Sequence, residues 1–212
     1  MGKYKNILLD LDGTIIDSGS GIMKSIQYVL DHFSMYHEPE EKLRKFIGPA
    51  LLDSFMKFYG FSKEKAEEAV EYFRDYYPEK GMFDAFVYPG MRECIEKMAG
   101  DGKKLVLLTS KPIFFASQIL QHFGLSDYFF MEIGPDLSEQ SSDKTRLIEK
   151  ALREGNFLKE DCLMVGDTKY DILAAKDVGI DSVAALYGYG EVEEISIAKY
   201  SIEKPLDLLS IV

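Results

Sequence analysis

A doubly wound α/β fold, with a parallel sheet and an all-helical insertion after its first strand, is predicted by three observations. Short apolar runs alternate with helical periodicity, at Ile7-Leu8-Leu9, Leu105-Val106-Leu107-Leu108, Leu163-Met164-Val165 and Ser182-Val183-Ala184-Ala185-Leu186. These runs are continuous rather than apolar at every second position, the pattern of strands covered on both faces of a parallel sheet. Asp10 and Thr109, which close the first two runs, lie 99 positions apart, whereas a strand–helix–strand unit takes roughly 30 residues. The excess reads as helix, and nothing between Gly21 and Gly81 reads as strand. The expected division is a core of residues 1–16 and 85–212 and a helical domain of residues 17–84.

The elements follow in order. After Thr14, residues 15–21 read as a loop; Ile22, Met23, Ile26, Val29, Leu30 and Phe33 then recur at helical spacing. Gly48-Pro49 breaks the chain, Gly48 fitting a turn and Pro49 a helix start, and a second helix runs through Phe55, Met56 and Tyr59 to Gly60. Ser62 is placed to cap a third, whose apolar face is Ala66, Ala69, Val70, Phe73 and Tyr77. A helix with Met91, Ile95 and Met98 precedes the strand at 105–108, and Pro112 opens another that Gly124 stops. Tyr128–Ile133 is a further strand candidate, and the polar loop Ser138–Asp143 leads to a helix from Lys144 to Gly155. After the strand at 163–165, a helix with Ile172, Ala174, Ala175 and Val178 ends at Gly179.

Composition narrows the function classes. The 212 residues are 46% hydrophobic and 29% charged, with a formal net charge of −11. Such a surface repels nucleic-acid backbones and anionic membranes, so neither is an expected partner, while a small anion can still enter a locally positive pocket. Cys94 and Cys162 lack metal-ligand spacing and read as buried free thiols, which suits a reducing cytoplasm. Residues 1–5 are expected to lead directly into the first strand with no signal peptide, and no apolar run reaches membrane-spanning length. A monomer is the default expectation, with a homodimer the alternative.

The chemistry gathers at strand ends, where ligands bind in open parallel sheets. The first run breaks into Asp10-Leu11-Asp12-Gly13-Thr14. Residues i and i+2 of a strand share a side, so Asp10 and Asp12 converge, and two like charges together call for a divalent cation with oxygen ligands. The second run ends in Thr109-Ser110-Lys111-Pro112, the third in Gly166-Asp167, with Asp171 four residues on; Lys144 opens the intervening helix. Each has a plainer reading alone: an acidic turn, a helix cap, a solvated lysine, first-turn acids that complement a helix dipole. Their arrival at the ends of strands of one sheet is what favours a site.

This order of motifs, Asp-x-Asp-Gly-Thr, a strand ending in Thr-Ser, a lone Lys and Gly-Asp-x-x-x-Asp, resembles the haloacid dehalogenase superfamily over essentially the whole chain. The resemblance implies a Rossmann-like core and a type-1 helical cap. Residues 46–51, 109–112 and 166–171 are similar to its phosphoglycolate phosphatase-like branch, which includes 5′-nucleotidases. It implies a Mg²⁺-dependent phosphomonoesterase for a small phosphate ester, either a nucleoside 5′-monophosphate or 2-phosphoglycolate. Asp10 is then the nucleophile and Asp12 the general acid/base. Thr109, Ser110 and Lys144 hold the phosphoryl group. Mg²⁺ is held by Asp10, the backbone carbonyl of Asp12 and Asp167, with Asp171 in support through water or Lys144. Cations are needed, because two unit negative charges 4 Å apart repel by about 4 kcal/mol at an effective dielectric of 20.

Other residues are weaker candidates. Lys24 and Arg74 in the cap are candidate substrate contacts, and Ile47, Gly48 and Pro49 are expected to shape the pocket. His32, His37 and His122 have no metal spacing, and Tyr187-Gly188-Tyr189-Gly190 reads as an ordinary glycine-containing turn, with an edge of the site as the alternative. A phosphomutase similar to β-phosphoglucomutase is an alternative that Thr14 disfavours, since that group carries Val there. A phosphorylatable module like a response-regulator receiver is a second alternative; receivers are shorter and have no cap.

Overall fold

A computed structural model gives the fold and describes residues 3–138 and 143–212. Of the polar loop expected at Ser138–Asp143, residues 139–142 lie outside the described residues, as do residues 1–2.

Among the described residues the main sheet has six strands: β1 (Asn6–Leu9), β4 (Lys104–Leu108), β5 (Phe129–Ile133), β6 (Cys162–Gly166), β7 (Asp181–Ala185) and β8 (Tyr200–Ile202). Their order is β5-β4-β1-β6-β7-β8, and every pairing is parallel. β1 is central, so Asp10 leaves the sheet between the ends of β4 and β6. Every residue of β1 is buried, and the side chains alternate between the two faces of the sheet. Ile7 and Leu9 join the apolar cluster that includes α5 (Met91–Gly100) and α6 (Ile113–His122). Leu8 faces α7 (Lys144–Gly155) and α8 (Lys169–Val178). Both faces are covered, which is why these strands read as unbroken apolar runs.

The insertion consists of α1 (Gly19–His32), α2 (Glu40–Arg44), α3 (Leu51–Tyr59) and α4 (Lys63–Tyr76), followed by a π-helical turn at Tyr77–Gly81, all before α5. α3 ends at Gly60 in the left-handed conformation, and Ser62 caps α4 by accepting from the Lys65 N–H at 3.3 Å. So small a bundle needs large side chains to bury enough apolar area. Phe46 and Phe55 meet at 4.9 Å between ring centres, Phe33 and Phe61 at 5.1 Å, and Phe55 stacks on Phe61 at 5.8 Å.

Three local expectations need correction. Residues 15–21 are not simply a loop: Ile16–Asp17 (β2) pairs antiparallel with Phe86–Val87 (β3), tying together the two points where the chain enters and leaves the helices. α3 begins at Leu51, two residues after Pro49, with Ala50 as its cap. The strand β8, beyond the last strand expected, closes the sheet's edge.

Candidate active site

Three loops converge at the carboxyl end of β1. Asp10 is buried and receives the Lys144 ammonium at 3.0 Å. Lys144 is the first residue of α7, and Asp143 caps that helix by accepting from the Thr145 N–H at 3.0 Å. The same ammonium contacts Asp171, whose second oxygen accepts from the backbone N–H (3.0 Å) and hydroxyl (2.7 Å) of Thr168. Asp167 accepts from Thr14 Oγ1 at 3.3 Å and from the Tyr189 N–H at 2.8 Å. One oxygen each of Asp10, Asp167 and Asp171 lie within 4.8 Å of one another.

Asp12, two residues from Asp10, takes different partners. Lys111 Nζ lies 2.8 Å from each of its oxygens, and Ser18 donates to Oδ1 at 2.5 Å. Lys111 also donates to the Tyr77 hydroxyl at 2.8 Å. Four buried carboxylates therefore face two ammonium groups, an excess of two negative charges. Burial raises the Asp10 carboxyl from 3.8 to about 7, with Lys144 opposing and Asp171 adding to the rise. Burial also pushes Asp167 well above the ordinary carboxylate range, reinforced by Asp171 and Asp10. Burial alone would lower both lysines, but Asp10 and Asp171 hold Lys144 above its ordinary value, and Asp12 and Tyr77 do so for Lys111. Hard oxygen donors carrying surplus charge in a buried cluster fit a divalent cation.

Thr109, at the end of β4, is buried, and its hydroxyl accepts from the Lys111 N–H at 3.1 Å. Ser110 and Lys111 floor a cavity of about 170 Å³ between this end of the sheet and the helical insertion, with Asp12 at its wall. Phe46, Leu52, Val70, Phe73, Tyr77 and Phe115 make it largely apolar, while Glu67, Glu71 and Arg74 add charge. Gly48 and Pro49 line it as well. Arg74 also donates to the Leu137 carbonyl at 2.8 Å, joining α4 to the loop after β5. Ile47 is buried in the apolar core and does not line the cavity. Nor does Lys24, whose exposed ammonium pairs with Asp84 at 2.7 Å.

Lys111 belongs to a motif legible in the sequence, but spacing does not show that its side chain turns back to Asp12. Residues 187–190 form a turn, and it also borders the site. The Tyr189 hydroxyl contacts Asp17 and accepts from the Gly19 N–H (2.8 Å), and Arg44 packs over its ring at 5.2 Å. A side chain at Gly13, whose φ is +83°, would collide with Asp167, so only glycine permits this close approach.

Residues 7–185 match the family described as haloacid dehalogenase-like hydrolase. The chain belongs to that family. It is 36% identical over 193 residues to a 5′-nucleotidase of Pseudomonas aeruginosa, covering 91% of this chain and 87% of the relative. A phosphoglycolate phosphatase of Vibrio parahaemolyticus is 30% identical over 200 residues, covering 91% and 88%. The crystal structure of a predicted phosphatase from Clostridium acetobutylicum superposes with a TM-score of 0.94 at 39% identity, covering 98% and 97% of the two chains. This haloacid dehalogenase-like protein is a phosphatase. No helix among the described residues is long and apolar enough to cross a membrane.

Proposed function

We propose that the protein is a Mg²⁺-dependent phosphomonoesterase that works through an aspartyl-phosphate on Asp10. The observation that carries this reading is the contact of Asp10 with Lys144 beside Asp167 and Asp171, with Asp12 held separately two residues away. An oxygen of Asp10 attacks phosphorus, the bond to the leaving oxygen breaks, and Asp12 gives that oxygen its proton. Asp12 then takes a proton from the water that attacks phosphorus, the bond to Asp10 breaks, and inorganic phosphate leaves. Lys144, the Thr109 hydroxyl and the N–H groups near Ser110 are assigned to the phosphoryl oxygens. Asp10, Asp167 and the Asp12 carbonyl would hold Mg²⁺, and Asp171 fixes Lys144 beside them. Bound there, the ion would supply positive charge against the phosphoryl oxygens.

The domain division at residues 17–84 belongs to the same proposal, with the helices as a cap over the leaving group. An apolar, aromatic cavity with Glu67 and Glu71 on its wall favours a nucleoside 5′-monophosphate as substrate. The second reading, 2-phosphoglycolate, draws on the name of the Vibrio relative and on Arg74 in the lining. The two buried free thiols support a reducing, cytoplasmic location. Phosphate release from p-nitrophenyl phosphate and from a panel of phosphate esters, with Mg²⁺ and with EDTA, tests the reading. Turnover with Mg²⁺ that EDTA removes is expected, highest on nucleoside monophosphates. Rearrangement of a sugar phosphate without release of phosphate would contradict it.

A further inference from the structure

Lys111 is a buried cation that the mechanism above leaves without a task. Its side chain is 8% exposed, and three oxygens lie 2.8 Å from its Nζ: both of Asp12 and the Tyr77 hydroxyl. Of its three N–H donors, two go to Asp12 Oδ1 and the Tyr77 hydroxyl, and Asp12 Oδ2 adds an ion-pair contact. Although Lys111 lines the cavity, its charge is matched by the Asp12 carboxylate. The partners come from different parts of the chain. Asp12 belongs to the strand-end loop after β1, whereas Tyr77 follows α4 and opens the π-helical turn Tyr77–Gly81. Tyr77 is itself fixed, stacked on Phe73 at 4.9 Å and edge-on to Phe115 of α6 at 5.8 Å. The two site lysines thus divide the acids: Lys144 takes Asp10 and Asp171, and Lys111 takes Asp12.

We propose that Lys111 is a positioning residue that aims the Asp12 carboxyl at the leaving-group oxygen, and that the Tyr77 hydroxyl completes this arrangement when the helical segment is docked. The proposal rests on Asp12 being the general acid/base. A carboxyl with two free side-chain torsions has no fixed direction; the Lys111 bridge and the Ser18 hydroxyl supply one. Withdrawal of the Tyr77 end would free one Lys111 donor and loosen the bridge, so that proton transfer is fully assembled only over an enclosed substrate.

The test uses leaving groups of contrasting basicity. A nucleoside 5′-monophosphate expels an alkoxide that needs a proton, whereas p-nitrophenolate leaves without one. Lys111→Met, Tyr77→Phe and Asp12→Asn are compared with the wild type in Mg²⁺, by kcat and KM on the nucleotide and by first-turnover release of p-nitrophenolate in rapid mixing. Lys111→Met is expected to lower kcat on the nucleotide by about 10²-fold, within the usual range for general acid catalysis. Its KM should stay within about twofold, and first-turnover p-nitrophenolate release should fall far less. Tyr77→Phe, which removes one oxygen and keeps the ring, is expected to show the same selectivity at about tenfold, and it carries the test if Lys111→Met does not fold. Equal losses on both substrates, or a raised KM with kcat unchanged, would overturn the proposal, because either marks a substrate contact or a general structural role. If Asp12→Asn shows the selectivity and neither other variant does, the assignment of Lys111 fails alone. If Asp12→Asn itself lacks it, the acid/base reading has failed first.

Discussion

Asp10 and Asp12 leave the same strand two residues apart, yet each settles on a different ammonium, at 3.0 Å and 2.8 Å. That separation gives the two acids separate tasks, and their variants should differ accordingly. Asp10→Asn is expected to lower turnover on the order of 10⁴-fold or more, with circular dichroism unchanged; wild-type turnover in this variant would remove Asp10 as nucleophile. Burial raises the Asp10 carboxyl from 3.8 to about 7, which has a definite sign for stability. The folded state keeps this proton after the unfolded chain has lost it, so the contribution is fully present below the ordinary carboxylate value and is lost as pH rises through about 7. At about 1.4 kcal/mol per pH unit the loss is on the order of 4 kcal/mol. A divalent cation should offset it, so the Mg²⁺-induced rise in melting temperature is expected to be larger at pH 8 than at pH 5.5. Equal rises would mean that the cation does not share a site with Asp10. Glycine at 188 has a third consequence. A Cβ there would come within 2.5 Å of Asp167 Oδ2 and of the Gly13 carbonyl, so Gly188→Ala should cost about 1–3 kcal/mol in denaturant unfolding and weaken Mg²⁺ activation.

Among the elements, those whose ends carry chemistry were legible because their strands are four or five residues long and apolar on both faces. The short ones were not. β2 and β3 have two residues each, β8 has three and α2 five, too few for any periodicity to show. The start of α7 was legible from the Asp143-Lys144 pair and is also a point of leverage. Asp143 accepts from the Thr145 N–H, and the next residue delivers the ammonium to Asp10. Asp143→Ala should cost about 1 kcal/mol of stability by loss of the cap. It should also lower kcat, because a frayed first turn no longer holds Lys144. Unchanged stability and unchanged kcat together would show that Lys144 is held by Asp171 alone.

On the scale of the molecule, the helical insertion was legible from one spacing, the 99 positions between Asp10 and Thr109. Its contacts with the sheet were not, because they depend on side chains that cross it: Arg74 to the Leu137 carbonyl, Tyr77 to Lys111, and Arg44 to the ring of Tyr189. For the same reason Lys24 was a reasonable sequence candidate, although its charge is spent on Asp84. The measurement that bears most directly on the whole account is the site of covalent phosphorylation. Wild type and Asp12→Asn would be mixed with p-nitrophenyl phosphate and Mg²⁺, quenched in acid, reduced with borohydride and mapped by mass spectrometry. The account predicts reduction of one acyl-phosphate at Asp10, with more of it trapped in Asp12→Asn, where the second step is slowed. Phosphorylation on another side chain, or none in either protein while turnover proceeds, would contradict it.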